Sequence, residues 1–595
     1  MSTAKMTNNI RRRVVSLAAV LFTGAAAACT NGGSGPGNGA GLDFEPVYLE
    51  DPAGGLRASI IGRRDGGFFG ESAASTPPAY DPDEQRIYVI AAPRFAVEVL
   101  DISDPARPRL VDSFGYLQFL RALFPGFEVR GPAAAIEALE EGEIEERLPR
   151  LIGELRSLAF ADGGLAIAFD ALQPNERGRV IFLDEDGDPA ADAVSVGIEP
   201  DSIAFTPDGQ KLVVTNTGNG EPGDDPEASI SVVDVIRDPE GDIETDQRRI
   251  GFTAFNDQAD ELRAQGVRLI TPGYTVSQDL EPESLTISED GSTAYVAFVR
   301  NNAFATVDLD AEEITTIHGL GTRDLNISGQ GLDASDRDDA INIRPWPVHG
   351  YFSPDGIGVY PGAGAELIVT ANEGDPRDFE DARVAELTLD PDAFPGAADL
   401  QRPENLGRLR ITNAEGDSDG DGDFDRLFTL GTRSFAIWTT DGDPVFDSGD
   451  AFERKTAEAV PAFFNTSDER NQFDNRSADR GPEPEPLALG EVAGRWYAFI
   501  GFERISGIIA YDITEPAAPA FAFYLNNRNF ALDPRDVCES GEPKSEQCAQ
   551  VGDIETESLL VIPASESPNG SPLLVATHEQ TDSLTLIELA PLPGT

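Results

Sequence analysis

Apolar residues fall in short runs along almost the whole chain, many alternating with polar positions and each cut off by Gly, Pro, Asn or Asp. This is the pattern of many short strands joined by turns, and long uninterrupted helical periodicity is rare. One stretch defines the unit. Residues 483–504, EPEPLALGEVAGRWYAFIGFER, open on Glu483 and Glu485, run through an apolar segment, turn between Gly490 and Gly494, return as a second apolar run and close on Glu503 and Arg504. The pattern predicts a β-hairpin whose acidic ends come back together.

The unit recurs. Related stretches are EPDSIAFTPDGQKLVVTNTG (199–218), EPESLTISEDGSTAYVAFVRNN with Glu283 as its inner acid, SPDGIGVYPGAGAELIVTANEGD (353–375) and the segment 555–589, with weaker relatives at 80–105 and 156–188. Many of them add a third apolar run closing on Asp, as in SISVVDV, FATVDLD and GIIAYDI. Seven antiparallel units, each too small to bury a face alone, predict an all-β, seven-bladed β-propeller. A parallel β-solenoid is the structural rival, disfavoured by the hairpin-like turns. Two insertions interrupt the repeat: about 114–156, which reads as a pair of amphipathic helices, and about 377–480, which carries extra strands and an acidic loop.

Blade geometry gives the acids a meaning. The first strand of a blade lines the channel and the second returns beside it, so the start of one and the end of the other share a mouth. The first tier is Asp201, Glu283, Asp355, Glu485 and Glu557, and the second is Thr217, Arg300, Glu373, Glu503 and Glu579. Two unit charges 4 Å apart interact by about 4 kcal/mol at an effective dielectric of 20, so a ring of carboxylates needs a bound cation, raised pKa values or arginine partners. Numerous hard oxygen ligands favour Ca²⁺ over zinc, and His318, His349 and His578 form no zinc motif, although His349 and His578 remain possible ligands. The expected channel-mouth ligands are Glu283, Glu373, Glu485, Glu503 and Glu579. Two structural readings stand beside this one: an acid after Pro also serves as turn chemistry, and Glu373 and Glu503 each have an arginine nearby for a salt bridge.

A second acidic stretch is sharper. DSDGDGDFD places Asp417, Asp419, Asp421, Asp423 and Asp425 at alternate positions with Gly422 sixth, as in the first part of a calcium loop. Position 12 is Phe428 rather than the bidentate Glu of an EF-hand, so the loop is closer to the shorter acidic loops of extracellular repeat proteins.

Length and charge narrow the partners. The 595 residues carry 105 Asp and Glu against 45 Lys and Arg, a formal charge of −60, which argues against nucleic acid or an anionic membrane face and for divalent cations. Strong acidity also suits solubility at high salt. The first 29 residues read as an export signal: Arg11, Arg12 and Arg13, then an apolar run, then Ala26-Ala27-Ala28 before Cys29. This resembles a bacterial lipobox with Cys29 as the lipidated residue, and Thr30 after it favours the outer membrane. The membrane would then be met only through the N-terminal lipid. Residues 30–43 form a Gly-rich flexible tether reaching roughly 20 Å, and 44–595 the single propeller domain. In an exported chain, Cys538 and Cys548 are expected to pair as a disulfide.

Several segments resemble the choice-of-anchor I proteins, bacterial relatives of mesenchyme-specific cell-surface glycoproteins: EPES, ANEGDPRD, EGDSDGDGDFDRL, RSFAIW (433–438), VFDSGD (445–450) and YAFIGFERISGIIAYDI (497–513). The resemblance implies an exported, variously anchored propeller whose biochemical role is largely unassigned, with some members labelled alkaline-phosphatase-like. This chain departs from the family pattern at Thr217 and Arg300, where the family carries Glu in NEG and QENNA motifs, and near Thr76. The leading expectation is a lipid-anchored, calcium-binding surface or periplasmic interaction module for a protein, glycan or phosphoester ligand. The alternative is a metal-dependent phosphoric ester hydrolase, alkaline phosphatase- or phytase-like, with Arg300 or Arg504 on the phosphate.

Overall fold

The computed structural model describes residues 42–70, 77–124, 152–218, 226–237 and 243–593. All of them belong to one unit, Pro36–Thr595. Cys29, most of the tether, Thr76 and the greater part of the first insertion lie outside the described residues, so only its opening helix, Tyr116–Leu123, is seen.

Six four-stranded sheets and one five-stranded sheet, all antiparallel, follow one another along the chain, the first four each built from consecutive strands. Their first strands begin at Ala79, Leu155, Pro200, Leu285, Pro354, Pro484 and Thr556. Several opening hairpins turn through two left-handed residues, the backbone twist that matches paired strands. Asp162-Gly163, Ala363-Gly364 and Ala493-Gly494 all do so, with Ala363 and Ala493 at φ 52°. Alternation survives where one face of a strand is less covered, as in Pro484–Val492. The middle strands Gly164–Phe169 and Ile508–Asp512 are buried throughout because sheets cover both faces.

Seven apolar clusters join consecutive sheets. Tyr88 and Phe169 belong to the cluster between the first and second sheets, Val214 and Phe182 to the next, and so on to Trp438 with Tyr295 and Phe502 with Phe435. The last cluster packs Val575 and Leu586 of the seventh sheet against Ile87 and Leu100 of the first, closing the ring. Strand pairing closes it as well, because two early strands complete the last two sheets by hydrogen bonds. Leu56–Asp65 is the outer strand of the seventh sheet, in register from Leu56 opposite Pro591 to Asp65 opposite Ser583. Val47–Glu50 is likewise the outer strand of the sixth. The architecture is a β-propeller.

The large insertion differs from its sequence-based bounds. Besides residues from 377 onward it takes in the connection before the fifth sheet: His349–Tyr351 pairs in parallel with Phe428–Leu430. Leu325, Trp346 and Val348 share an apolar core with Val384, Leu406 and Leu427. This cap is latched to the propeller by ion pairs. Arg268, 2% exposed, binds Glu380, 0% exposed, and Glu415 at 3.0 Å. Cys538 and Cys548 form a disulfide, and Glu542–Pro543 inside its loop pairs with Phe68–Phe69. No helix among the described residues is long and apolar enough to cross a membrane.

Candidate functional site

A repeated backbone device aims the acids inward. Glu199, Ser353, Glu483 and Glu555 have left-handed backbones, at φ 48°, 51°, 55° and 65°, and each precedes a first strand. The strand register then slips between Pro200 and Ile203, Pro354 and Ile357, Pro484 and Leu487, and Thr556 and Ser558. Asp201, Asp355, Glu485 and Glu557 sit inside these bulges, which re-aim side chains. The end of the second strand is tied back to the same corner: the N–H groups of Thr217, Glu503 and Glu579 donate to the carbonyls of Glu199, Glu483 and Glu555 at 2.9–3.0 Å.

The five first-tier carboxylates therefore line one cavity of about 380 Å³ with a sixth charged residue, Arg156. Arg156 occupies the bulge of the second sheet, between Leu155 and Ser157, and is held by Asp170 at 2.9 Å. An acid-based repeat pattern does not include it because this repeat position carries the opposite charge, although its Arg-Ser-Leu context matches Asp-Ser-Ile and Glu-Ser-Leu elsewhere. The same cavity is lined by Ser157, Ser202, Ser284 and Ser558 and by Leu285, Ile357, Leu487 and Leu559.

None of the five carboxylates has a hydrogen bond or ion pair from its side chain among the described residues. Their proton affinities reflect this. Burial, with Asp201 and Asp375 nearby, pushes Asp355 up to about 7. Burial and then Asp355 raise Glu283 well above the usual carboxylate range. Burial, followed by Glu557 for Glu485 and Glu579 for Glu557, does the same to those two. Asp201 is raised by burial against the pull of Arg156 and Arg300.

The second tier is arranged differently. Glu373, Glu483 and Glu503 bring carboxylate oxygens within 4.8 Å of one another, but arginines already occupy them. Arg480 binds Glu373 at 2.6 Å and Glu483 at 2.9 Å. Arg504 binds Glu483 at 3.1 Å, Glu503 at 2.5 Å and Glu555 at 2.9 Å. Arg476 also reaches Glu483. Burial opposes the charge on Glu483, yet Arg480, Arg476 and Arg504 outweigh it and hold its carboxyl far below the ordinary range. Burial raises Glu373 to about 8 despite Arg480. Arg300, expected on a phosphate, is instead fixed by Asp375 at 2.6 Å and Glu281 at 2.6 Å. Thr217 donates its hydroxyl to Glu199 at 3.1 Å.

In the acidic loop, Asp417 accepts from the N–H groups of Gly420 at 2.7 Å and Gly422 at 3.1 Å, with Gly422 at φ 99°. Asp417, Asp419 and Asp425 converge, and so do Asp390, Asp423 and Asp425. Asp421 joins neither group. Asp390 comes from outside the motif, brought in by a parallel bridge between Leu389 and Phe424, and spacing alone gave no signal for it. No histidine joins a metal-capable group among the described residues. His349 packs on Phe428, and His578 is buried, its Nδ1 3.4 Å from the Thr556 hydroxyl and its Nε2 3.7 Å from Asp553. Thr556, His578 and Asp553 are all buried, at 0%, 4% and 2% exposure.

Comparison with known proteins follows the same residues. The chain is 29% identical over 316 residues to the mesenchyme-specific cell surface glycoprotein of Strongylocentrotus purpuratus, covering 44% of this chain and 40% of that one. It is 27% identical over 207 residues to gigasin-3a of Magallana gigas, covering 33% of this chain and 70% of the other. The chain thus spans well under half the length of the sea-urchin relative. Among solved structures it is similar to Kuenenia stuttgartiensis hydrazine synthase, at TM-score 0.40 and 11% identity over 87% of this chain and 96% of that one. It is also similar to the WD40 domain of Toxoplasma gondii coronin, at TM-score 0.41 and 9% identity over 91% and 88% of the two chains. The profile of the Choice-of-anchor I domain matches residues 77–516, more than half of the sequence, and the chain belongs to that family.

Proposed function

We propose that this protein is an exported, lipid-anchored propeller that binds calcium at its channel mouth and serves as a surface or periplasmic interaction module. One observation carries the reading: five carboxylates face a single cavity with no protein counter-ion bound to them. A hard divalent cation fits that donor set, since oxygen ligands are what Ca²⁺ takes and its charge offsets their mutual repulsion. Asp201, Glu283, Asp355, Glu485 and Glu557 would hold it. Glu373 and Glu503 belong instead to the arginine network, where a cation would have to displace Arg480 and Arg504. The acidic loop supplies a second place for calcium through Asp417, Asp419, Asp423 and Asp425, together with Asp390. The export signal, Cys29 and the name of the sea-urchin relative, a cell surface glycoprotein, support placement at the cell surface.

The test is calorimetric titration of the mature chain with Ca²⁺ alongside thermal melts, for the wild type and a Glu485→Gln, Glu557→Gln double variant. Channel binding that the double variant retains unchanged would overturn the reading. Parallel assays with p-nitrophenyl phosphate and phytate, with and without Ca²⁺, address the hydrolase alternative. Turnover that appears with Ca²⁺ and is lost in chelator would favour that alternative.

A further inference from the structure

A second pocket, of about 220 Å³, lies where the cap meets the sixth sheet, and its lining opposes the composition of the chain. In a protein with 105 acidic and 45 basic residues, four arginines converge there: Arg410, Arg476, Arg480 and Arg504. Arg410 extends from the cap strand Arg410–Thr412 and Arg504 follows the propeller strand Arg495–Phe502. Arg476 and Arg480 come from the segment entering the sixth sheet.

Arg480 and Arg504 are clamped from behind by the buried carboxylates of Glu373, Glu483 and Glu503. This fixes their planes, and Glu380, Asp381 and Asp479 stand among the lining residues beside the four arginines. Arg476 and Arg410 have donors to spare, since a guanidinium carries five. Arg476 gives one contact to Glu483. Its Nη1 stands 3.6 Å from Asp479, too far for a hydrogen bond, so the hydrogens left over for a ligand are on its Nη groups. Arg410 uses Nε on Asp479 and Nη1 on Asp381. The forked geometry left over suits two oxygens of one carboxylate or phosphate.

The rest of the lining describes the body that carries the anion. Ile411 and Leu430 form an apolar patch, while Asp381 and Asp479 supply acceptors for hydroxyl groups. At about 220 Å³ the pocket is on the scale of one small ring-sized molecule. We propose that this pocket binds an acidic sugar, a single ring bearing a carboxylate or phosphate, with the oxyanion on Arg410 and Arg476. The site is separate from the channel and does not depend on calcium there.

The experiment is calorimetry on the mature chain, in chelator and again in calcium, with glucuronate, glucose 6-phosphate, inorganic phosphate and glucose. Saturable binding of a charged sugar at least about tenfold tighter than glucose or inorganic phosphate is expected, and a loss of about tenfold in Arg410→Gln and in Arg476→Gln. Glu483 keeps two other arginines in the second variant, so the fold is expected to hold, which a melt checks. Arg476→Lys keeps the charge without the fork and should recover only part of the affinity. Whether glucuronate or the phosphate ester binds better identifies the oxyanion. Absence of saturable heat from both charged sugars, or wild-type affinity in both glutamine variants, would overturn the proposal. Because the measurement is made in chelator as well, its failure is distinguishable from failure of the calcium reading.

Discussion

Glu483 and Glu485 are separated by a single proline and lie in opposite electrostatic environments. Glu483 is 0% exposed and receives Arg476, Arg480 and Arg504, while Glu485 faces the channel cavity with no ion pair among the described residues. The left-handed residue turns one carboxylate into the arginine network, and the bulge that follows turns the next into the channel.

Neutralising these two neighbours should therefore change stability in opposite directions. Glu483→Gln leaves three half-buried arginines without their shared, fully buried partner and is expected to cost about 3 kcal/mol. Glu485→Gln removes one member of a repelling ring and should stabilise the chelated protein by about 1–3 kcal/mol, while weakening calcium binding. Denaturant melts in chelator measure both, and destabilisation of equal size by the two variants would refute the distinction.

Arg156 breaks the ring. It stands at the bulge that carries Asp201 in the next sheet and contributes the positive charge nearest to Asp201. Arg156→Gln should tighten cation binding by about tenfold, the scale of one removed like charge near a divalent ion. Calorimetry with Ca²⁺ at low salt reads the change, which should shrink as ionic strength rises.

The channel also sets a pH dependence. Asp355 is raised to about 7, and Glu283, Glu485 and Glu557 are raised in the same direction. The folded state therefore holds these protons more tightly than the unfolded chain does. That stability is fully present below the ordinary carboxylate values near 4 and is lost as pH rises through 7 and above. In chelator the melting temperature should fall by several degrees between about pH 6 and pH 8. With calcium bound the carboxylates are charged in the folded state, and the fall should flatten or reverse. Melts across this range, with and without Ca²⁺, check the sign.

What could be read from the sequence was what repeats locally. The acid-Pro-acid corners, the alternating first strands and the Gly turns are all short-range signals, and the closed ring turns them into a shared cavity. The features missed are those defined by distant partners. Leu56–Asp65 alternates plainly, yet nothing local says that it pairs with Ser583–Pro591. Arg476 and Arg480 fall in an irregular stretch whose role appears only when it folds over Glu373 and Glu483. The cap core is likewise divided between residues 325–348 and 384–427, and so has no contiguous signature.

The acidic loop offers a discrimination inside one motif. Asp425 belongs to both convergent groups, with Asp417 and Asp419 on one side and Asp390 and Asp423 on the other, whereas Asp421 belongs to neither. Asp423 is raised to about 6, by loss of water and then by Asp421, the state of a carboxylate crowded by others. If calcium occupies this loop, Asp425→Asn removes a ligand from both groups, and Asp421→Asn removes a charge beside Asp423 while leaving an oxygen to accept from the Asp423 N–H. Asp425→Asn should lower calcium affinity at the loop by at least about tenfold and make the cap more open to limited proteolysis in calcium. Asp421→Asn should match the wild type within about twofold. Asp390→Asn should fall between them, a result that no count of loop positions would anticipate. Equal effects of Asp421→Asn and Asp425→Asn would mean that the loop acts through its net charge and not as a set of placed ligands.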